Sequence, residues 1–242
     1  MLGTRVYYYP KVTNPTMVAA LPDMGNVAGL CMNTLVSKLD AKLFAEIYAY
    51  WPPYVSYKDG LTYYKQSTYR FYHSNELLIF TGDFNPSDPR RLYEVCYEVV
   101  NIAQRLNVKR LYSLGAALRT SVGADTSVFY AVNNRRLLEE VKRYGINTLE
   151  GEGNITGFNG LILGLCNERG IEAVCILGEI DNPEIIQPRA AKSILKILIK
   201  ILGLKEFSMH ELDEEERRKR FMEEQMRYMS SVMDKGRESI YH

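Results

Sequence analysis

The sequence predicts an α/β fold: a mostly parallel sheet covered by helices on both faces, with a charged helical tail after it. Three observations predict this. Short apolar runs bounded by turn residues alternate with stretches of helical periodicity, the pattern of a layered α/β sheet. Some of those runs, such as residues 171–177, are apolar without alternation, as strands buried on both faces are. Beyond Leu204 the composition turns abruptly to dense charge.

Taken in order, residues 17–21 form a short apolar strand, and Pro22-Asp23-Met24-Gly25-Asn26 stops it. Residues 27–39 repeat apolar side chains at helical spacing. Residues 43–50 read as a strand ended by Trp51-Pro52-Pro53. Residues 54–72 alternate aromatic and polar side chains around Asp59-Gly60, the signal of an antiparallel hairpin added to the sheet or at its edge. Residues 76–80 are the next strand. Asp88 and Pro89 then cap and open a helix to about Leu106. Strands come next at 110–114, 128–132 and 171–177. A helix at 134–144 is capped by Asn133 and stopped by Gly145, and another at 189–202 is stopped by Gly203. The expected division is a core of residues 1–204, with a Tyr-rich hairpin insertion at about 53–73, and a tail of residues 205–242.

In that tail Met222, Met226, Met229 and Met233 recur at steps of four, three and four, one face of a helix. A helix over 211–233 would be roughly 35 Å long and project from the body, with Gly236 loosening the last residues of the chain.

Composition narrows the function. With 242 residues and 46% hydrophobic side chains, the chain can bury a large core. A formal charge of +1 gives no global pull toward nucleic acid or membrane, and neither partner is expected. The run 194–204 is broken by Lys196 and Lys200 and is too short for a bilayer. The opening residues carry no leader signature, so a cytoplasmic protein is expected. Cys31, Cys96, Cys166 and Cys175 are far apart and set among apolar residues, which reads as core packing in a reducing compartment. His73, His210 and His242 have no ligand spacing, so no metal is expected, and no cofactor motif is present.

Two glycine-rich loops are the candidates for chemistry. Residues 22–29 join a strand to a helix, where unpaired amides attract anions, but they carry neither a P-loop nor a dinucleotide fingerprint. Residues 150–160 bring Glu150, Glu152, Asn154 and Asn159 together among glycines, which suits a polar ligand or an acid pair, or simply close backbone packing. Ser113, Ser121 and Ser127 sit in no nucleophile elbow, so no catalytic residue is assigned. The tyrosines at 48, 50, 54, 57, 63, 64, 69 and 72 suit either a strand pair or a self-association surface.

The segments Pro22–Gly29 and Gly151–Leu165, together with 171–178 and 189–204, resemble the proteasome assembly chaperone family in its archaeal form, over most of residues 16–204. That resemblance implies a three-layer α/β/α sandwich similar to nucleoside phosphorylases, without established catalysis. It also implies a homo-oligomer, such as a tetramer, that binds proteasome α-subunits. The chain ends Ile240-Tyr241-His242, which resembles the hydrophobic-Tyr-any tripeptide that proteasome activators insert between α-subunits. A terminal carboxylate can pair with a buried lysine, the Tyr ring can fill a pocket, and Ile240 adds apolar burial. The expectation is a non-enzymatic assembly chaperone or ATP-independent activator whose binding residues are Ile240, Tyr241 and His242. The alternatives are a phosphorylase- or hydrolase-like enzyme using loops 22–29 and 150–160, and a scaffold whose Met stripe packs on a neighbour.

Overall fold

The computed structural model describes residues 2–49, 55–64, 67–119 and 126–238, with side chains of 2, 49, 67 and 226–238 outside the description. In chain order the strands and helices are β1 (Leu2–Val6), β2 (Thr16–Ala19), α1 (Val27–Lys38), β3 (Lys42–Ala49), β4 (Ser56–Lys58), β5 (Leu61–Tyr63), β6 (Ser67–Ser74), β7 (Leu77–Gly82), α2 (Pro89–Arg105), β8 (Arg110–Leu118), β9 (Val128–Val132), α3 (Arg135–Lys142), β10 (Asn147–Thr148), α4 (Gly157–Glu168), β11 (Glu172–Ile180), α5 (Pro188–Leu202) and α6 (His210–Glu238).

Nine strands form one sheet in the order β1-β3-β6-β7-β2-β8-β11-β9-β10. Its centre, β7-β2-β8-β11, is parallel. These strands read as unbroken apolar runs because both faces are sealed: Met17, Val18, Ala19 and Ala20 are all fully buried. On one face α2 and α4 pack Val95, Val99, Phe158 and Ile162 against Met17, Phe80 and Leu111. On the other, α1, α3 and α5 pack Met32, Leu137 and Ile194 against Val18, Ile79 and Ile176. The result is three layers, α/β/α.

The sheet is less parallel than expected. Strands β1, β3, β6 and β7 pair antiparallel, as do β11 and β9. The aromatic–polar alternation that suggested one hairpin has two sources. Only β4 and β5 form the hairpin around Asp59-Gly60, a separate two-stranded sheet. The rest is β6, a full member of the main sheet. It buries Tyr69 and Phe71 beside Phe80 and turns Arg70 toward Glu46 and Asp83. A strand covered on one side alternates for that reason.

Residues 150–160, expected to be loop throughout, give their last four residues to α4. Three glycines within the helix mask its propensity. Gly160 is needed there, because a Cβ would lie 1.8 Å from the Ile155 carbonyl oxygen. The cap of α3 is Asn134, whose side chain accepts from the Arg136 amide; Asn133 instead ties two strands together, donating to Ile171 O and accepting from Ala173 N. Asp88 caps α2 as expected, and Gly203 stops α5 in the left-handed conformation.

Helix α6 is longer than the spacing suggested. It runs 29 residues, through Gly236 to Glu238, about 44 Å. Its first turns lie on the body rather than away from it. Leu212 is buried in the core shared with α5, and Lys38 and Lys192 pair with Glu211 and Asp213. Lys219 is buried and donates to Gln187 Oε1 at 2.8 Å. Among the described residues no helix is long and apolar enough to cross a membrane.

Candidate functional site

The terminal tripeptide Ile240-Tyr241-His242 lies outside the described residues, so its expected docking role has no geometry here. The same holds for Met226, Met229 and Met233 as side chains; Met222 is 48% exposed. The base of the helix that leads toward the tip is described. Gln187 anchors it from two directions. Its side chain accepts from Lys219 and donates to Asp181 and to the Asn182 carbonyl, while its backbone amide donates to Gly25 O. Gly25 must be glycine: its φ is +60°, and a Cβ would sit 2.5 Å from Gln187 Cγ. The first glycine-rich loop and the tail helix are thus held by one glutamine. Nothing in the sequence marked Gln187 or Lys219, since the first precedes a helix-opening proline and the second sits inside a charge run.

The two glycine-rich loops meet. A cavity of about 490 Å³ opens at the carboxyl ends of the parallel strands, the place where open α/β sheets leave a crevice. Asp23 and Met24 enter it from the first loop, Asn154 to Asn159 from the second, with Asn85, the end of β8, Phe129 and Leu177 completing the wall. Glu150 and Glu152 stay exposed and outside it, so the acid-pair reading of this loop finds no carboxylates at the cavity. Asn26 is outside too. Its side chain folds back over Gly29, where a Cβ would be 2.0 Å from Asn26 Oδ1.

Asp23 is the acid of the cavity. Its Oδ1 accepts from the Ala28 amide at 2.7 Å, fixing it at the start of α1, while Oδ2 is buried without a partner. Burial pushes its carboxyl up to about 7, with the Ala28 hydrogen bond pulling the other way. Asn85 Oδ1 and Asn159 Oδ1 are likewise buried and unpartnered. An orphaned buried polar atom costs about 1–3 kcal/mol, so three on one cavity are a strained set. Arg119 is the cation at the wall, and it is engaged: its guanidinium lies 5.1 Å from the Phe129 ring centre and 3.7 Å from Glu179.

Among the described residues, neither Ser113, sealed within β8, nor any of the four buried cysteines lines this cavity, and Ser121 lies outside the described residues. Burial pushes the Cys166 and Cys175 thiols up to about 12, far from the thiolate that attacks carbonyls. Among the described residues no group of His, Cys, Asp and Glu could hold a metal ion.

Fold and site together define an α/β/α sandwich with a ligand-sized crevice at its strand ends and a long terminal helix. The chain belongs to the PAC2 family, whose pattern matches residues 17–227. Among solved structures it is similar to Pyrococcus furiosus PbaB, described as an archaeal proteasome activator. The TM-score is 0.80 at 28% identity, over 95% of this chain and 98% of that one. It is also similar to PbaA of the same organism, described as an archaeal homolog of proteasome-assembly chaperone. There the TM-score is 0.75 at 26% identity, over 98% and 100% of the two chains. In sequence it is 27% identical over 203 residues to an uncharacterized protein of Methanocaldococcus jannaschii, covering 83% of this chain and 78% of that one.

Proposed function

We propose that this chain is a non-enzymatic proteasome-binding protein, an assembly chaperone or ATP-independent activator. In this reading residues 1–204 form the body, residues 205–242 form the tail, and Ile240, Tyr241 and His242 dock between α-subunits of the proteasome ring. The observation that carries the reading is α6. It is a continuous helix of 29 residues, locked to the body at its base, and in the sequence only Ser239 separates its last residue from the tripeptide. A stiff arm of that kind delivers a short motif at a distance without the entropy of a free linker. Support also comes from the two Pyrococcus furiosus relatives, whose descriptions name a proteasome activator and a chaperone homolog. The body is expected to act as a homo-oligomer, so that several tails act by avidity. Its exposed tyrosines, Tyr57, Tyr63 and Tyr64 on the hairpin and Tyr7 to Tyr9 after β1, suit such contacts. The fold's resemblance to nucleoside phosphorylases and a cytoplasmic location belong to the same reading.

The test is binding of the full chain to a proteasome core particle, against chains lacking residues 240–242 or carrying Tyr241→Ala, with peptide hydrolysis and oligomer size followed in parallel. The truncated chain should lose binding at unchanged oligomer size. Tyr241→Ala should weaken it about 30-fold or more, the loss of an aromatic hot spot. Equal binding by all three would move recognition to the body and favour chaperoning. Binding by none would end the proteasome reading.

A further inference from the structure

We propose that strand β1 joins to β1 of a second copy of this chain, antiparallel about a two-fold axis at Thr4, so that the sheets of the two copies run on as one. The proposal rests on the self-association in the reading above, gives it a place, and uses nothing of the tail. β1 is the last strand on its side of the sheet, with β3 as its one neighbour among the described residues. Its five residues contain no proline and no lysine, the usual guards of an exposed edge. The opposite edge is β10, two residues long, and a strand that short offers little to pair with.

The ladder fixes which groups of β1 are free. The Tyr7 amide donates to Phe44 O at 2.8 Å, and Arg5 and Gly3 stand opposite Glu46 and Tyr48. Residues bonded to one neighbour alternate with residues turned to the other side. Gly3, Arg5 and Tyr7 therefore face β3, while Leu2, Thr4 and Val6 turn their amides and carbonyls outward. Those three are self-complementary. With Thr4 opposite Thr4 of the second copy, Leu2 falls opposite Val6 and Val6 opposite Leu2, and each outward residue finds a partner. Sliding the strands by two residues in either direction leaves outward groups unpaired, and one of the two slides sets Arg5 against Arg5. In the centred register Arg5 falls opposite Gly3 of the second copy, so like charges do not oppose. Its guanidinium lies 5.3 Å from the Tyr48 ring centre of its own chain. On the other face the Thr4 hydroxyl donates to Glu98 of α2 at 3.1 Å, and Val6 packs on the core. The strand is thus seated on its own body with its backbone left to offer, which suits another edge strand rather than a side-chain ligand. Tyr7, Tyr8 and Tyr9 are exposed and follow the strand directly, so aromatic contact area borders the joint at both ends.

The test is disulfide trapping and analytical sedimentation of the full chain. In a hydrogen-bonded antiparallel pair the Cα atoms are about 5.5 Å apart, within the span of a disulfide. Thr4→Cys should therefore link two chains under mild oxidation, and the four native cysteines, all buried, do not compete. Arg5→Cys should not link, since the two cysteines would be offset by two residues with Cα atoms roughly 8 Å apart. Thr4→Pro removes an outward amide and none of the bonds to β3. It should raise the dissociation constant of the assembly at least about tenfold, as loss of the central backbone bonds implies, with an unchanged circular dichroism spectrum. Thr4→Val keeps that amide and should assemble like the parent. Should Thr4→Pro lose its fold, the two cysteine variants decide alone. Linking of Arg5→Cys as readily as Thr4→Cys, or an assembly untouched by a folded Thr4→Pro, would overturn the joint and leave self-association standing. A chain that sediments as a monomer at every concentration up to about 100 µM would overturn both.

Discussion

At the amino ends of the central strands, polar groups are saturated. Arg110, the first residue of β8, donates to Glu172 on β11 at 2.6 Å and to Glu140 on α3 at 2.5 Å, and Arg136 closes the cluster on Glu172. Asn133 uses both its amide nitrogen and its oxygen on the backbone around β11. At the carboxyl ends of the same strands, Asp23, Asn85 and Asn159 each keep a buried oxygen with no partner. One end of the sheet is tied off by ion pairs and hydrogen bonds, and the other keeps buried polar atoms without partners. The difference also sets how the two ends respond to acid. Burial alone would raise the Glu172 carboxyl, but the hydrogen bonds from Arg110 and Arg136 hold it below its usual value. Burial of Asp23 meets no cationic partner and raises it.

The largest test of that contrast is Arg110→Met. It leaves Glu140 without its cation and Glu172 with Arg136 alone, and urea unfolding at pH 7 should show a loss of about 3 kcal/mol, as the loss of several charge-assisted hydrogen bonds implies. A loss under about 0.5 kcal/mol would mean that the amino end is not a structural lock.

Asp23→Asn probes the other end and carries a definite sign. A carboxyl whose folded pKa lies above its unfolded one binds its proton more readily when folded. Stability therefore rises as pH falls from about 7 toward 4 and is lowest above 7. Replacing the acid should stabilise the protein at pH 8 by on the order of 2 kcal/mol and do little at pH 5. Glu172 works in the opposite direction: its stabilisation is present above its unfolded value near 4.5 and is lost as pH falls through the lower folded value. Unfolding curves at the two pH values separate these effects, and a variant with the parent's full pH slope would contradict the placement of Asp23.

The smallest effect expected is the difference between two asparagines. Asn133→Ala removes two backbone hydrogen bonds and should cost about 2 kcal/mol. Asn85→Ala removes a buried oxygen that bonds nothing and should leave stability unchanged or raise it by up to about 1 kcal/mol. Similar costs at both positions would erase the distinction between the two ends.

The sequence determined which segments become strands and helices wherever burial leaves a period or a cap leaves a side-chain signal. Residues 171–177 had to be a doubly covered strand, Asp88-Pro89 had to open a helix, and residues 17–21 and 27–39 had to be strand, turn and helix. Local rules reach that far because propensity, capping and periodicity act within a few residues. Tertiary structure alone decided the rest. The antiparallel placement of β6 depends on partners far along the chain. The helix in the glycine-rich block is stabilised by packing that its composition does not advertise. Lys219, inside an ordinary run of charges, becomes a buried anchor only because Gln187 waits across from it. Asp23 and Asn159 could be singled out as polar residues in glycine-rich loops. They line one cavity because loops more than a hundred residues apart are carried to the same end of the sheet.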